Sequence, residues 1–309
     1  MKGIELQKVI NDLDLEKIYI ANNIDEVLLK SGDINRPGLQ LTGYYNQFSP
    51  ERLQIIGEQE WHYINELNPK ERHNSLKKLF SYNIPGVVFC GNNYIHDEII
   101  ELSKIHDVSL FRTSDTFSKF TGVFQNYVED KLAPKIRKHG VLLDIYGVGV
   151  LITGKAGIGK SEAALNLISK GSKLVSDDSV IIKNIDSKLI GTSPEITKHF
   201  MELRGVGIID VQKLFGIGFV MEEKEIEMIV DLESWDSTKD YERLGLEDVY
   251  EEILGIKIVK YTIPVRPGRD IALIIEVATK NFKQKEMGYN PAVELNNRIL
   301  NSRNNKNSN

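Results

Sequence analysis

Residues 154–161 read Gly154-Lys155-Ala156-Gly157-Ile158-Gly159-Lys160-Ser161 and fill every fixed position of the glycine-rich phosphate loop. Before them, Val148-Gly149-Val150-Leu151-Ile152-Thr153 is the apolar run of a buried strand. After them, residues 161–170 carry a helical apolar pattern that stops at Gly171. Strand, loop and helix thus follow in the order that phosphate binding requires. Glycines keep side chains away so that amide N–H groups converge on an anion, and the helix start adds its positive dipole end. Lys160 supplies a mobile cation for the outer phosphates, and Ser161 a hydroxyl for the magnesium ion that bridges them. A plain glycine turn would leave the Lys160-Ser161 pair unexplained.

Working outward, 309 residues exceed one typical domain, and a composition of 41% hydrophobic and 27% charged residues is that of an ordinary globular protein. A formal charge of −5 gives no electrostatic footprint for nucleic acid, which leaves a phosphorylated small molecule or a protein as partner. Cys90 is the only cysteine, so no intrachain disulfide forms. Met1-Lys2-Gly3-Ile4-Glu5 lacks the apolar core of a signal peptide and no apolar run is long enough to span a bilayer, so a cytoplasmic location without membrane contact is expected.

The first part of the chain alternates helical and strand patterns. Asn68-Pro69-Lys70-Glu71 is a helix start, with an N-cap, a proline at the first position and a capping-box glutamate, and the run continues to Phe80. A strand at 85–91, a helix at 97–106, a strand at 108–111 and a helix at 115–131 follow. Ala133-Pro134 marks the boundary, giving an N-terminal α/β domain at 1–132 and a nucleotide-binding α/β domain at 133–300. In the second, strands are expected within 140–153, 173–192, 225–235 and 256–265, and a long helix at 269–287. Residues 301–309 have nothing to bury and predict a disordered tail.

Ser176-Asp177-Asp178 follows the loop helix directly, which puts two carboxylates at a strand end near the terminal phosphate. One can take a proton from an attacking hydroxyl and the other can orient magnesium; a solvated surface turn is the alternative. Met201-Glu202-Leu203-Arg204-Gly205-Val206-Gly207-Ile208-Ile209-Asp210 joins a carboxylate, a guanidinium and two glycines, which suits approach to a phosphate or metal better than it suits a core strand. Pro264-Val265-Arg266-Pro267-Gly268-Arg269 stiffens a turn bearing two arginines, the side chain best matched to phosphate. Arg243 stands in a polar segment after Trp235-Asp236, and His139 beside Gly140 opens the second domain. The other histidines, His62, His73, His96, His106 and His199, show no metal-ligand spacing.

A phosphate loop followed by Ser176-Asp177-Asp178-Ser179-Val180, then by residues 201–210 and then by residues 264–269, resembles the HPr kinase/phosphorylase family over nearly the whole chain. The resemblance implies ATP-dependent phosphorylation of a regulatory serine on the phosphocarrier protein HPr. It implies also the phosphate-dependent reversal that yields pyrophosphate, in the service of carbon catabolite regulation. It implies ATP bound at Gly154, Lys155, Ala156, Gly157, Ile158, Gly159, Lys160 and Ser161, magnesium served by Ser161 and Glu202, and Asp177 as proton acceptor in one direction and donor in the other. His139, Lys160 and Arg243 join the catalytic set. Asp178, Arg204 and Gly205 flank it, while Arg266, Gly268 and Arg269 matter chiefly for dephosphorylation. A nucleotide domain like that of phosphoenolpyruvate carboxykinase and a homohexamer are further implications. Two other classes fit the residues by themselves: a small-molecule kinase or carboxykinase, and a switch ATPase gating a protein interface.

Overall fold

The computed structural model describes residues 3–239 and 248–306. The chain divides into two compact units, Met1–Ala133 and Pro134–Asn309.

The first unit is built on a five-stranded sheet in the order Glu16–Tyr19, Leu110–Arg112, Val87–Phe89, Leu53–Ile56, Ile34–Asn35. The last four strands run parallel, and Glu16–Tyr19 closes one edge antiparallel. Its strands carry side chains into two cores, one on each face: Leu53, Ile55, Val88 and Phe111 point to one, and Ile56, Val87, Phe89 and Leu110 to the other. That two-sided burial is why Val87–Phe89, at the middle of the sheet, is apolar at every position. The helix Pro69–Phe80 starts as its sequence requires, with the Glu71 amide donating to Asn68 Oδ1 at 3.0 Å and the Asn68 amide to a Glu71 carboxylate oxygen at 3.3 Å.

The second unit has three layers. Its central sheet runs Lys173–Ser176, Val141–Ile145, Val148–Gly154, Met228–Ser234, Ile256–Val265, Val249–Ile253. The loop strand Val148–Gly154 pairs parallel with Met228–Ser234, which pairs parallel with Ile256–Val265. Alternate residues serve opposite faces. Val150 and Ile152 meet the helices Lys160–Ser169 and Ile271–Glu286, whereas Leu151 meets the core beneath a four-stranded antiparallel sheet. That second sheet is ordered Glu223–Glu225, Lys188–Thr192, Ser179–Ile185, Lys135–His139.

Two differences from the sequence reading stand out. Phe200–Leu203 and Gly207–Asp210 pair antiparallel as a hairpin, where a close-approach loop was expected. A helix, Pro291–Lys306, runs through the start of the segment expected to be disordered from 301. Its N-terminus explains it: Asn290 Oδ1 accepts the Ala292 amide at 3.0 Å, proline occupies the first helical position, and Arg298 pairs with Glu294 one turn earlier at 2.7 Å. No helix among the described residues is long and apolar enough to cross a membrane.

Candidate active site

Strand direction brings the site together. Val148–Gly154 and Lys173–Ser176 both pair antiparallel with the strand between them, so their C-terminal ends, Gly154 and Ser176, lie at one edge of the sheet. The intervening strand starts at that edge, which puts His139 and Gly140 there too. Asp177 and Asp178 are the link from the central sheet to the four-stranded one, where Ser179 sits opposite His139. The link is tight: the Ser179 amide donates to Asp177 O at 2.7 Å, and Asp178 takes a left-handed φ of 62°.

The loop wraps a cleft of about 440 Å³ lined by Gly154, Ala156, Gly157, Gly159, Lys160 and Ser161, by Asp177 and Asp178, and by His139, Glu162, Glu202 and Arg204. Lys160 Nζ donates to the carbonyls of Gly154 at 3.0 Å and Lys155 at 3.1 Å. Gly157 could be no other residue without rearrangement, since its φ is 78° and an added Cβ would lie 2.8 Å from the Arg204 guanidinium. The hairpin 200–210 therefore lays its arginine directly on the loop.

Asp177 is 5% exposed and doubly held. One carboxylate oxygen accepts the Ser161 hydroxyl at 3.0 Å, and the other accepts the Glu202 amide at 3.2 Å. Burial pushes its carboxyl above the usual aspartate range, against the hydrogen bonds from Glu202 and Ser161 that favour the ionised form. His139 and Asp178 are in contrast open to water: His139 Nδ1 lies 3.2 Å from Asp178 O and 3.7 Å from its carboxylate, with the side chains 85% and 81% exposed.

Other candidates lie elsewhere. Lys155 lines a neighbouring cleft with residues 231–237, and Ile158 packs on the core below the loop. Gly205 makes the hairpin turn with φ of 83°. Arg266, Gly268 and Arg269 do not line the cleft that holds Lys160. The Arg266 guanidinium covers the Trp235 ring, 3.1 Å from its centroid, and Arg269 Nη1 donates to Pro264 O at 3.1 Å. Arg243 lies outside the described residues. Glu162 was not foreseen as a lining residue, although a carboxylate directly after the Lys-Ser pair, in the first turn of the helix, was legible as one that faces the loop.

The cleft gathers four carboxylates, Glu162, Asp177, Asp178 and Glu202, and two cations, Lys160 and Arg204. Carboxylate oxygens next to a phosphate loop are hard donors of the kind that suit a divalent cation. Residues 4–128 match the model of the HPr Serine kinase N terminus, and residues 130–299 that of the HPr Serine kinase C-terminal domain. The chain belongs to the HPr serine kinase family. It is 47% identical over 305 residues to the HPr kinase/phosphorylase of Alkaliphilus metalliredigens, covering 98% of both chains. It is 46% identical over 301 residues to that of Caldanaerobacter subterraneus, covering 97% of this chain and 98% of the other. The solved Hpr(Ser) kinase/phosphatase from Coxiella burnetii is 38% identical, covering 50% of this chain and 94% of that one with a TM-score of 0.47.

Proposed function

We propose that this protein transfers the γ-phosphoryl group of ATP to a serine of HPr and, in the opposite direction, uses inorganic phosphate to take it off as pyrophosphate. Family membership supports the pair of activities. The single observation that carries the mechanism is Asp177, buried between Ser161 and the hairpin in the same cleft as Lys160. In the forward direction Asp177 takes the proton of the attacking serine as its oxygen bonds to the γ-phosphorus and ADP leaves. In reverse, an oxygen of inorganic phosphate attacks the phosphoserine phosphorus, protonated Asp177 returns the proton to the departing serine oxygen, and pyrophosphate forms. A carboxyl pushed up by burial holds either state near neutrality more readily than an exposed one.

Lys160, the loop amides and Arg204 stabilise the charge on the transferred group. Four carboxylates oppose a bound polyphosphate unless a divalent cation lies between them, and Ser161 and Glu202 are the residues that would hold magnesium. Magnesium held by these two residues would supply neutralisation of the phosphoryl charge that the carboxylates oppose. His139 and Asp178 serve at the open rim and Arg243 in the catalytic set, all within 133–300. A cytoplasmic homohexamer acting in carbon catabolite regulation completes the reading.

The test is to incubate the purified chain with γ-labelled ATP and HPr, and then to add phosphate. The expected result is label on a serine of HPr, chased into pyrophosphate. Label released as phosphate without HPr would make this a switch ATPase, and label on a metabolite a small-molecule kinase.

A further inference from the structure

A line of polar side chains crosses the second unit at the loop end of its central sheet. The Thr153 hydroxyl donates to one carboxylate oxygen of Asp231 at 2.9 Å, and the other oxygen pairs with Lys260 Nζ at 3.0 Å. Lys260 also pairs with Glu251 at 3.0 Å, and the second Glu251 oxygen accepts Lys138 Nζ. Four strands of the central sheet are thereby joined to Lys135–His139, the edge strand of the four-stranded sheet. Thr153 directly precedes Gly154, and Lys138 directly precedes His139. Gly154 and His139 both line the cleft that holds Lys160, so the two ends of the line lie on opposite sides of one site.

The line interrupts an apolar face. Two residues away on the four central strands stand Leu151, Ile229, Ile258 and Ile253, and Val180 lies opposite Lys138; all five belong to the core between the two sheets. An apolar row would simply extend that core. Half-buried ion pairs contribute little net stability, because the cost of taking charges out of water offsets their attraction. They are directional where apolar contact is not, so what they add is a defined spacing. Burial opposes charge on Glu251, yet hydrogen bonds from Lys138 and Lys260 hold its carboxyl below the usual glutamate range, and the pairs stay ionised. His139 is the residue that most needs such a tie. It ends its strand one residue before the chain crosses at Gly140 into the central sheet, its side chain is open to water, and its strand pairs with Ser179–Ile185 at the margin of the sheet.

We infer that Lys138, Glu251 and Lys260 are positioning residues, a brace that sets the spacing between His139 and the first glycine of the phosphate loop. None of the three lines the cleft that holds Lys160, so each acts through the residues it holds. The inference rests on the phosphoryl-transfer reading above and adds to it what keeps the two sides of the site in register.

The test combines steady-state phosphorylation of HPr by the full chain with hydrogen exchange read by mass spectrometry. Lys138→Met keeps the aliphatic stem and removes the tie, while Glu251 remains paired with Lys260. It is expected to lower kcat about tenfold with KM for ATP within about twofold, since a misplaced group at the site costs rate and not binding. Exchange over Lys135–His139 should quicken about tenfold, with Val148–Gly154 as in the parent. Lys138→Arg, which can still pair with Glu251, should return kcat to within about threefold. Parent-like kcat in Lys138→Met overturns the brace, whatever the exchange shows. So does a loss of kcat that arginine does not restore, or faster exchange throughout the second unit, the mark of general loosening. If the parent itself puts no label on HPr, the transfer reading falls, and exchange over Lys135–His139 still decides whether Lys138 holds its strand.

Discussion

Each unit of this chain has a mixed sheet whose parallel strands deliver turns and helix starts to one edge, yet the two edges are finished differently. In the first unit the edge is closed by the chain itself. After Val87–Phe89, the Gly91 amide donates to Asp115 O at 2.8 Å, the Asn92 amide to Thr113 O at 2.9 Å, and the Asn93 side chain to Cys90 O at 3.0 Å. After Leu53–Ile56, the Gly57 amide is taken by Glu60, which also pairs with Arg36 at 2.7 Å. Even Cys90 is sealed in, its thiol pushed up to about 12 by burial and by the charges of Asp115 and Glu60. In the second unit the corresponding edge opens into a cleft with a lysine, an arginine and four carboxylates on its surface. The two units differ in whether the polar groups at their strand ends are used up by neighbours or left facing a cleft.

The strongest way to break that contrast is Lys160→Ala. Loss of the loop cation should abolish HPr phosphorylation, by roughly a thousandfold or more, in a protein whose fold is intact by circular dichroism. Parent-like rates in that variant would mean that the open edge is not the reaction site.

Asp177→Asn comes next. A loss of roughly 100-fold or more in phosphorylation is expected with ATP affinity changed only a few-fold, because the proton acceptor goes while the loop stays. Recovery at high magnesium would move Asp177 from base to metal support. The pH dependence sharpens the assignment. Asp177 must be ionised to accept a proton, and burial raises its carboxyl, so the acid limb of kcat/KM for phosphorylation should lie above the range of an ordinary aspartate. The reverse reaction needs the protonated form and should persist up to that same limb. Asn at position 177 should erase the limb from both profiles.

A smaller and directional effect is expected at residues 264–269. Arg266→Ala and Arg269→Ala should slow phosphate-dependent dephosphorylation several-fold more than phosphorylation, the effect the family resemblance implies for this segment, although neither arginine lines the cleft that holds Lys160. Equal loss in both directions would reduce the segment to support of Trp235. The smallest effect on activity belongs to the closed edge. Glu60→Gln disturbs a buried carboxylate with two partners and should cost about 1–3 kcal/mol in denaturant melts, with phosphorylation kcat within about twofold. A matching fall in kcat would erase the distinction between the two edges.

What could be read from residues alone follows from how local each signal is. The loop, its strand and its helix are a contiguous string whose glycines have few other uses, and residues 68–71 announce a helix in four letters. Asp177 was legible because one helix separates it from Lys160, so its strand had to end beside the loop. The hairpin at 200–210 was not legible as strands. Its two arms are four residues each, and their apolar side chains are divided between buried Met201 and Leu203 and exposed Phe200 and Ile208. The helix Pro291–Lys306 was missed although Asn290-Pro291-Ala292-Val293-Glu294 nearly repeats the start signal at 68–71, because the asparagines that follow weigh against helix in any summed propensity. That Arg266 stacks on Trp235 is a contact across 31 positions of sequence separation, which no local pattern encodes.

The anchoring of Lys160 bears on how tightly the site can bind. A lysine side chain surrenders roughly 2 kcal/mol of rotamer entropy when it is immobilised. Here the ammonium is already steadied by the carbonyls of Gly154 and Lys155, so most of that ordering is complete before any ligand arrives. An incoming triphosphate exchanges partners with a cation that is in place and does not wait for a mobile chain to find it. The ordering cost left for the ligand to meet is correspondingly smaller, so pre-placement of this ammonium favours affinity.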